Sequence, residues 1–232
     1  DKRWSTIGQS FGGFLTLSYL SFAPQSLRDC RITAGLAPIR TSVDNVYQHT
    51  FDRMKERVEE YYSWFPEDAE LATRIAEHLR THKEYLPTGE RLTDHRFQMA
   101  GHFLGGRWRE RGLHYFLETA FAEGNDHLSD QFLTAMGAEV TFQANPLYAL
   151  MHETIYADGP ADGVLPGIPG YELSPSPAPT NWSAARVAAS RPEFAPDADR
   201  LLFTGEHIFP WYYEEDPSLR PLAEVCLLYT SP

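Results

Sequence analysis

The sequence predicts an α/β fold in which a short strand–turn–helix–strand unit leads into a long helical segment. Three observations carry that expectation. Trp4 to Gln9 reads as a strand, Gly8-Gln9-Ser10-Phe11-Gly12-Gly13 as a tight turn, and Phe14 to Phe22 as a mostly apolar helix stopped by Pro24. Cys30 to Leu36 reads as a second strand ending at Pro38. From Val43 to about Ala157 the apolar spacing is helical almost throughout. A strand, a crossover helix and a second strand in so short a span imply parallel pairing.

The helical segment divides by its caps and apolar spacings. Asp44 is expected to cap a helix carrying Tyr47, Phe51, Met54, Val58 and Tyr61 on one face. Glu67 to Lys83 places Leu71, Ile75 and Leu79 on one stripe, and Thr93 opens a helix with Phe97, Ala100, Phe103 and Leu104. Leu113 to Ala122 and Leu128 to Met136 read as two more helices. Pro160 to Pro179 is a loop dense in Pro, Gly and Ser, and Asn181 to Ser190 a short helix. Leu201 to Thr204 is a brief extended or helical piece before Gly205-Glu206-His207, and no internal repeat occurs.

Composition excludes several function classes. With 42% hydrophobic and 22% charged residues, the 232-residue chain resembles an ordinary globular protein. Its net charge of −12 argues against nucleic acid and anionic membranes as partners, because both require a basic face. There is no apolar run of membrane-spanning length and no signal-type stretch at Asp1-Lys2-Arg3-Trp4. Two cysteines, Cys30 and Cys226, make no disulfide framework, so a cytoplasmic location is expected. Residues 226–232, Cys-Leu-Leu-Tyr-Thr-Ser-Pro, resemble a translated sequencing adapter and are expected to be a non-native tail.

The chemistry centres on Gly8-Gln9-Ser10-Phe11-Gly12, a G-x-S-x-G pattern between a strand and a helix. Such a turn projects the serine hydroxyl as a nucleophile, and glycines flank it because larger side chains would clash. The backbone N–H of Phe11, at a helix N-terminus, can stabilise a developing oxyanion. A nucleophilic serine needs an acid and a histidine, which in α/β-hydrolases follow in that order after further strands. Seven histidines (His49, His78, His82, His95, His102, His114 and His127) fall in or at the ends of expected helices. The acid and base are therefore expected beyond Val225, and the second oxyanion donor before Asp1. Glu153, in an apolar run, and Glu206, among aromatics, are carboxylates in settings that call for a cationic partner. That partner is either a substrate ammonium or an ordinary Arg or Lys. His152-Glu153-Thr154-Ile155-Tyr156 lacks the second histidine of H-E-x-x-H, so no metal site is expected, and no nucleotide-binding fingerprint occurs.

The residues from Trp4 to Phe14 with Leu20-Ser21-Phe22-Ala23-Pro24 resemble the elbow of the larger prolyl aminopeptidases. Similar matches follow at Ala34 to Pro38, at Asn145-Pro146-Leu147-Tyr148 with His152-Glu153, and at Leu202 to Trp211. The resemblance implies a partial α/β-hydrolase core over residues 1–43 and a mainly helical cap domain over 44–225. It implies a Ser-Asp-His triad with Ser10 as nucleophile, no cofactor, and peptides with a free N-terminal proline as substrates. Glu153 and Glu206 would bind the substrate amine. Phe97, Phe103, Tyr148, Phe209 and Trp211 are candidates for the proline pocket. The triad acid and histidine match no residue here. Two rivals remain at this point: another capped esterase or amidase, and a non-catalytic binding protein of the same fold.

Overall fold

The computed structural model describes residues 3–36, 41–106, 108–122, 124, 126–156, 182–206, 208 and 210–213. The Pro160 to Pro179 loop, His207, Phe209 and the 226–232 tail lie outside the described residues. The chain opens with strand β1 (Trp4–Gln9), helix α1 (Phe11–Phe22) and strand β2 (Leu27–Thr33). The two strands pair in parallel, from Ser5 opposite Asp29 to Gln9 opposite Thr33. Strand β2 therefore starts and ends three residues earlier than expected. A 3-10 turn at Pro24–Ser26 delivers Leu27 opposite Trp4, and Ala34, with φ 48°, cannot continue a strand. Helix α1 packs on this pair through Gly13 and Thr16.

Helix α2 (Val43–Trp64) begins one residue before Asp44. Its cap is Ser42, whose hydroxyl oxygen accepts the Asn45 N–H at 3.1 Å, while Asp44 sits in the first turn and pairs with Arg186. Tyr47, Phe51, Val58 and Tyr61 are buried along one face, as their spacing predicts. Helix α3 (Pro66–Thr81) buries Ala72, Ile75, Ala76 and Leu79, with Leu71 at the edge of the stripe. Asp68 is buried here, accepting from the Tyr61 hydroxyl and facing His114 Nδ1 at 3.0 Å. Buried carboxylates need such partners.

A small antiparallel hairpin, β3 (Glu84–Tyr85) with β4 (Arg91–Leu92), interrupts the helical segment. Two-residue strands carry no readable alternation, and the turn depends on Gly89 at φ 86°. Thr93 does open the next helix, α4 (Asp94–Gln98), accepting the Arg96 N–H at 3.2 Å. The helix then tightens into a 3-10 stretch at Met99–Gly105. Helices α5 (Glu110–Glu118), α6 (Asp130–Val140) and α7 (Pro146–Met151) follow, then a 3-10 turn at Glu153–Tyr156. Helices α8 (Ser183–Ala189) and α9 (Pro210–Tyr213) complete the described elements. The architecture is α/β by content, as expected, with a parallel strand pair at one end of a helical assembly. Among the described residues no helix is long and apolar enough to cross a membrane.

The stretch Leu201–Thr204 forms no regular element, yet it is buried and pinned. Gln98 Nε2 donates to Leu202 O at 3.0 Å, Thr204 N donates to Gln98 O at 2.9 Å, and the Tyr62 hydroxyl donates to Leu201 O at 2.8 Å. Gly101 lets this strand-like segment approach, since a Cβ there would lie 2.7 Å from the Thr204 carbonyl. These contacts fix where Glu206 emerges.

Candidate active site

Ser10 stands between β1 and α1 with φ 53° and ψ −125°, a conformation that non-glycine residues rarely adopt. Its N–H donates to Thr33 O at 3.1 Å, and its carbonyl accepts from Gly13 N at 2.8 Å. Its side chain caps no N–H of α1, so the hydroxyl is not spent on the helix. The turn is made possible by three close approaches. A Cβ on Gly8 would lie 2.1 Å from Gly12 O, one on Gly13 2.1 Å from Gly35 O, and one on Gly35 2.0 Å from Ser10 O. Gly12 itself has open space where a Cβ would go. The crowding expected at both glycines of the pattern thus falls on Gly8, Gly13 and Gly35. The difference lies in where each Cβ would point: that of Gly8 towards Gly12 and Thr16 of α1, that of Gly13 towards Gly35 and Ile32, and that of Gly35 towards Ser10.

Ser10 opens into a cavity of about 900 Å³. One wall is Phe11, Phe14, Ile32 and Ala34 to Leu36; the other is Leu147, Tyr148 and Met151 to Tyr156 without Glu153. The lining is mostly apolar, with a few polar groups, as is usual for small-ligand sites. Tyr156 joins the two walls: its ring packs edge-on to Phe14 at 6.1 Å and to Tyr47 at 6.0 Å. His152 shares the wall, and burial, with His102 nearby, lowers its pKa to about 4, leaving it uncharged at neutral pH.

Behind this wall stand two carboxyls. Glu153 is 2% exposed and spans the N-terminus of α8, accepting Ser183 N at 2.7 Å on Oε1 and Ala184 N at 3.0 Å on Oε2. Burial pushes its pKa up to about 7, against the opposing pull of those two N–H groups. Glu206 is half-buried as a residue, but protein encloses its carboxyl, and burial raises its pKa while a Thr50 hydroxyl hydrogen bond opposes. Both carboxylates raise the pKa of Tyr47, after burial, so both lie within electrostatic reach of that hydroxyl. Among the described residues, Glu67, Asp68 and His114 also bring ligand-type atoms within 4.8 Å of one another, but Asp68 there already serves Tyr61 and His114.

Glu153 has a checkable pH consequence. In the folded state it holds a proton from its ordinary 4.5 up to about 7, so the folded chain binds more protons than the unfolded one across that window. Without substrate, stability should fall as pH rises from about 5 to 8, by on the order of 3 kcal/mol from this group. Melting temperatures of wild type and Glu153→Gln across that range check it: the wild-type curve should decline more steeply, and parallel curves would refute it.

No protein-family model matches the chain. A protein named proline iminopeptidase, from Aeromonas sobria, is 38% identical over 229 residues, covering 98% of this chain and 49% of that protein. This chain is a homologue of the proline iminopeptidases. A second relative, proline iminopeptidase aneH of Aspergillus aculeatus, is 31% identical over 234 residues, covering 97% of this chain and 47% of that protein. The chain spans about half the length of the curated relatives it matches.

In this proline iminopeptidase homologue, Ser10, Phe11 and Tyr148 meet in the one cavity, with Glu153 and Glu206 close behind its tyrosine wall. Phe97 and Phe103 are not in that wall: Phe97 packs on Phe132 and Phe203, and Phe103 stacks on Phe116. Trp211 is likewise elsewhere, its ring stacked on His95 at 4.7 Å. Sequence reading did not place Tyr156 in the cavity wall or Tyr47 against it. Tyr47 looked like one more core residue of the α2 stripe, and Tyr156 entered only as a missing second histidine.

Proposed function

We propose that this chain is the nucleophile-bearing part of a serine aminopeptidase that releases N-terminal proline from peptides. The observation that supports it most is the shared cavity: a strained serine on a strand–helix elbow faces a wall backed by two buried carboxylates. The names of the relatives agree with this reading. Residues 1–43 are read as part of an α/β-hydrolase core and residues 44–225 as its helical cap. The acidic and histidine members of the triad are placed in the additional length of the relatives. The two-cysteine composition supports a reducing, cytoplasmic setting.

Ser10 Oγ attacks the carbonyl of the N-terminal proline as the histidine takes its proton. The Phe11 N–H, at the start of α1, stabilises the oxyanion. The peptide amine leaves with a proton returned by the histidine, giving a prolyl ester on Ser10. Water then cleaves that ester, releasing proline and restoring the hydroxyl. Glu153 and Glu206 supply the negative charge that reads the substrate's ammonium. A blocked N-terminus would leave that charge buried and unpaired, which is heavily penalised.

The test is hydrolysis of prolyl 4-nitroanilide, its N-acetyl form and 4-nitrophenyl acetate by the full-length protein. Cleavage of the free prolyl substrate with at least ~100-fold preference over the acetylated one is expected, and Glu206→Gln should lower kcat/KM by ~10- to 100-fold. Turnover of the acetate ester without the prolyl anilide would replace this reading with an esterase. Turnover of neither would point to a binding protein.

A further inference from the structure

The lining of the Ser10 cavity divides by burial. Phe14, Ile32, Met151, Ile155 and Tyr156 are half-buried, and the Tyr156 ring bridges the two walls by packing on Phe14 at 6.1 Å. The other large apolar side chains stand in water: Phe11 is 45% exposed, Tyr148 47%, Leu147 64% and Leu36 77%. This exposed set begins at the nucleophile. Phe11 follows Ser10 in the chain, and Leu36 follows Gly35, where a Cβ would lie 2.0 Å from Ser10 O. A lone exposed leucine needs no explanation, but large apolar side chains that converge on one cavity mark a binding surface.

The reaction says which part of a substrate each set meets. When a single terminal residue is removed, the acyl group ends at that residue and can be enclosed. The leaving peptide continues, so it has to pass into solvent along the lining that is open to water. The cavity of about 900 Å³ has room for both parts, since it stands near the top of the range of about 300–1,000 Å³ for small-ligand sites. Two of the exposed rings are held in place: Phe11 packs on Phe14 at 6.2 Å, and Tyr148 lies against Phe142 at 6.0 Å and His152 at 5.2 Å. Leu36 and Leu147 add branched aliphatic surface, one on each wall. Among the described residues no Asp, Glu, Lys or Arg lines the cavity, so a charged side chain entering it would lose water without meeting a counter-ion.

We propose that Leu36 and Leu147, with the rings of Phe11 and Tyr148, form the subsite for the residue after the cleaved bond, and that this subsite selects peptides whose second residue is large and apolar. This deepens the aminopeptidase reading and rests on it. A leucine or phenylalanine in second place covers apolar surface that otherwise faces water, and its own side chain leaves water at the same time. Serine gains little there, and aspartate or lysine is disfavoured. The half-buried lining sets which terminal residue is released, and the exposed lining sets which peptides supply it.

The experiment measures proline release by the full-length protein from prolinamide and from the amides Pro-Leu, Pro-Phe, Pro-Ser, Pro-Asp and Pro-Lys. The wild type should favour Pro-Leu and Pro-Phe over Pro-Ser by about 10-fold or more in kcat/KM, and over Pro-Asp and Pro-Lys by at least as much. Leu147→Ser and Leu36→Ser should each shrink the Pro-Leu to Pro-Ser ratio by about 3-fold or more, mainly through KM for Pro-Leu. Leu147→Met should restore most of that ratio, because it returns apolar area without a hydroxyl. Both leucines are exposed, so melting temperatures should stay near that of the wild type. Equal rates on all the dipeptide amides, or a preference for Pro-Asp or Pro-Lys, would overturn the proposal. A leucine preference that both serine variants keep would overturn it too, since the selection would then lie elsewhere. If prolinamide is cleaved while the second residue makes no difference, only this proposal falls. If no substrate of the set is cleaved, the aminopeptidase reading falls with it.

Discussion

Ser10→Ala in the full-length protein is expected to lower kcat/KM for prolyl 4-nitroanilide by ~10⁴-fold or more while leaving the melting temperature almost unchanged. The size follows from the role: without the nucleophile, only positioning and oxyanion stabilisation remain. The unchanged stability follows from the structure. The Ser10 side chain makes no cap bond to α1, and alanine faces the same left-handed φ of 53° as serine. A loss of less than 10-fold would remove Ser10 from the chemistry. Loss of activity together with a large drop in melting temperature would instead mean that the hydroxyl holds the turn. Steady-state kinetics and thermal unfolding on the same preparation separate the two.

Gly35→Ala should be nearly as damaging for a different reason. The added methyl would sit 2.0 Å from Ser10 O and 3.0 Å from Ser10 N, against backbone that cannot yield like a side-chain tip. We expect a cost of about 3 kcal/mol or more and a fall in melting temperature of at least about 5 °C. The residual folded protein should show reduced kcat, because the displaced group is the nucleophile's own peptide. Gly12→Ala is the internal control. It meets no atom within 4 Å in this structure and should be tolerated several-fold better. Equal damage from both would show that the elbow obeys the pattern of the pentapeptide, not the packing described here.

The elbow was legible in the sequence because its signal is local: a strand, a serine flanked by glycines, then an apolar helix. The identity of the indispensable glycines was not, since the crowding at Gly35 comes from Ser10, 25 positions away. Helix α2 was legible through the spacing of Tyr47, Phe51, Val58 and Tyr61, but its cap was misplaced. Ser42 and Asp44 are both good cap residues, and only the observed Asn45 N–H bond decides between them. The β3–β4 hairpin is too short for any periodicity to register. Glu153 was legible as an awkward carboxylate, but its grip on α8 was not, because its partners are backbone N–H groups 30 residues on. Backbone donors have no residue type, so no composition or motif can announce them.

Helix α2 finds much of its support late in the sequence. Tyr62 bonds Leu201, Arg191 bonds Gln48 and Asp52, and Arg186 bonds Asp44, across separations of 139 to 143 residues. Ribosomes extend chains at about 5–20 residues per second, so α2 waits roughly 7–30 s for these partners during synthesis. Through that interval the apolar stripe of Tyr47, Phe51 and Val58 has no α8 or Leu201–Thr204 segment to lie against. A nascent chain stalled near residue 150 should therefore recruit holding chaperones or be cut by protease within α2. One stalled late enough for residue 206 to clear the exit tunnel should resist that cut.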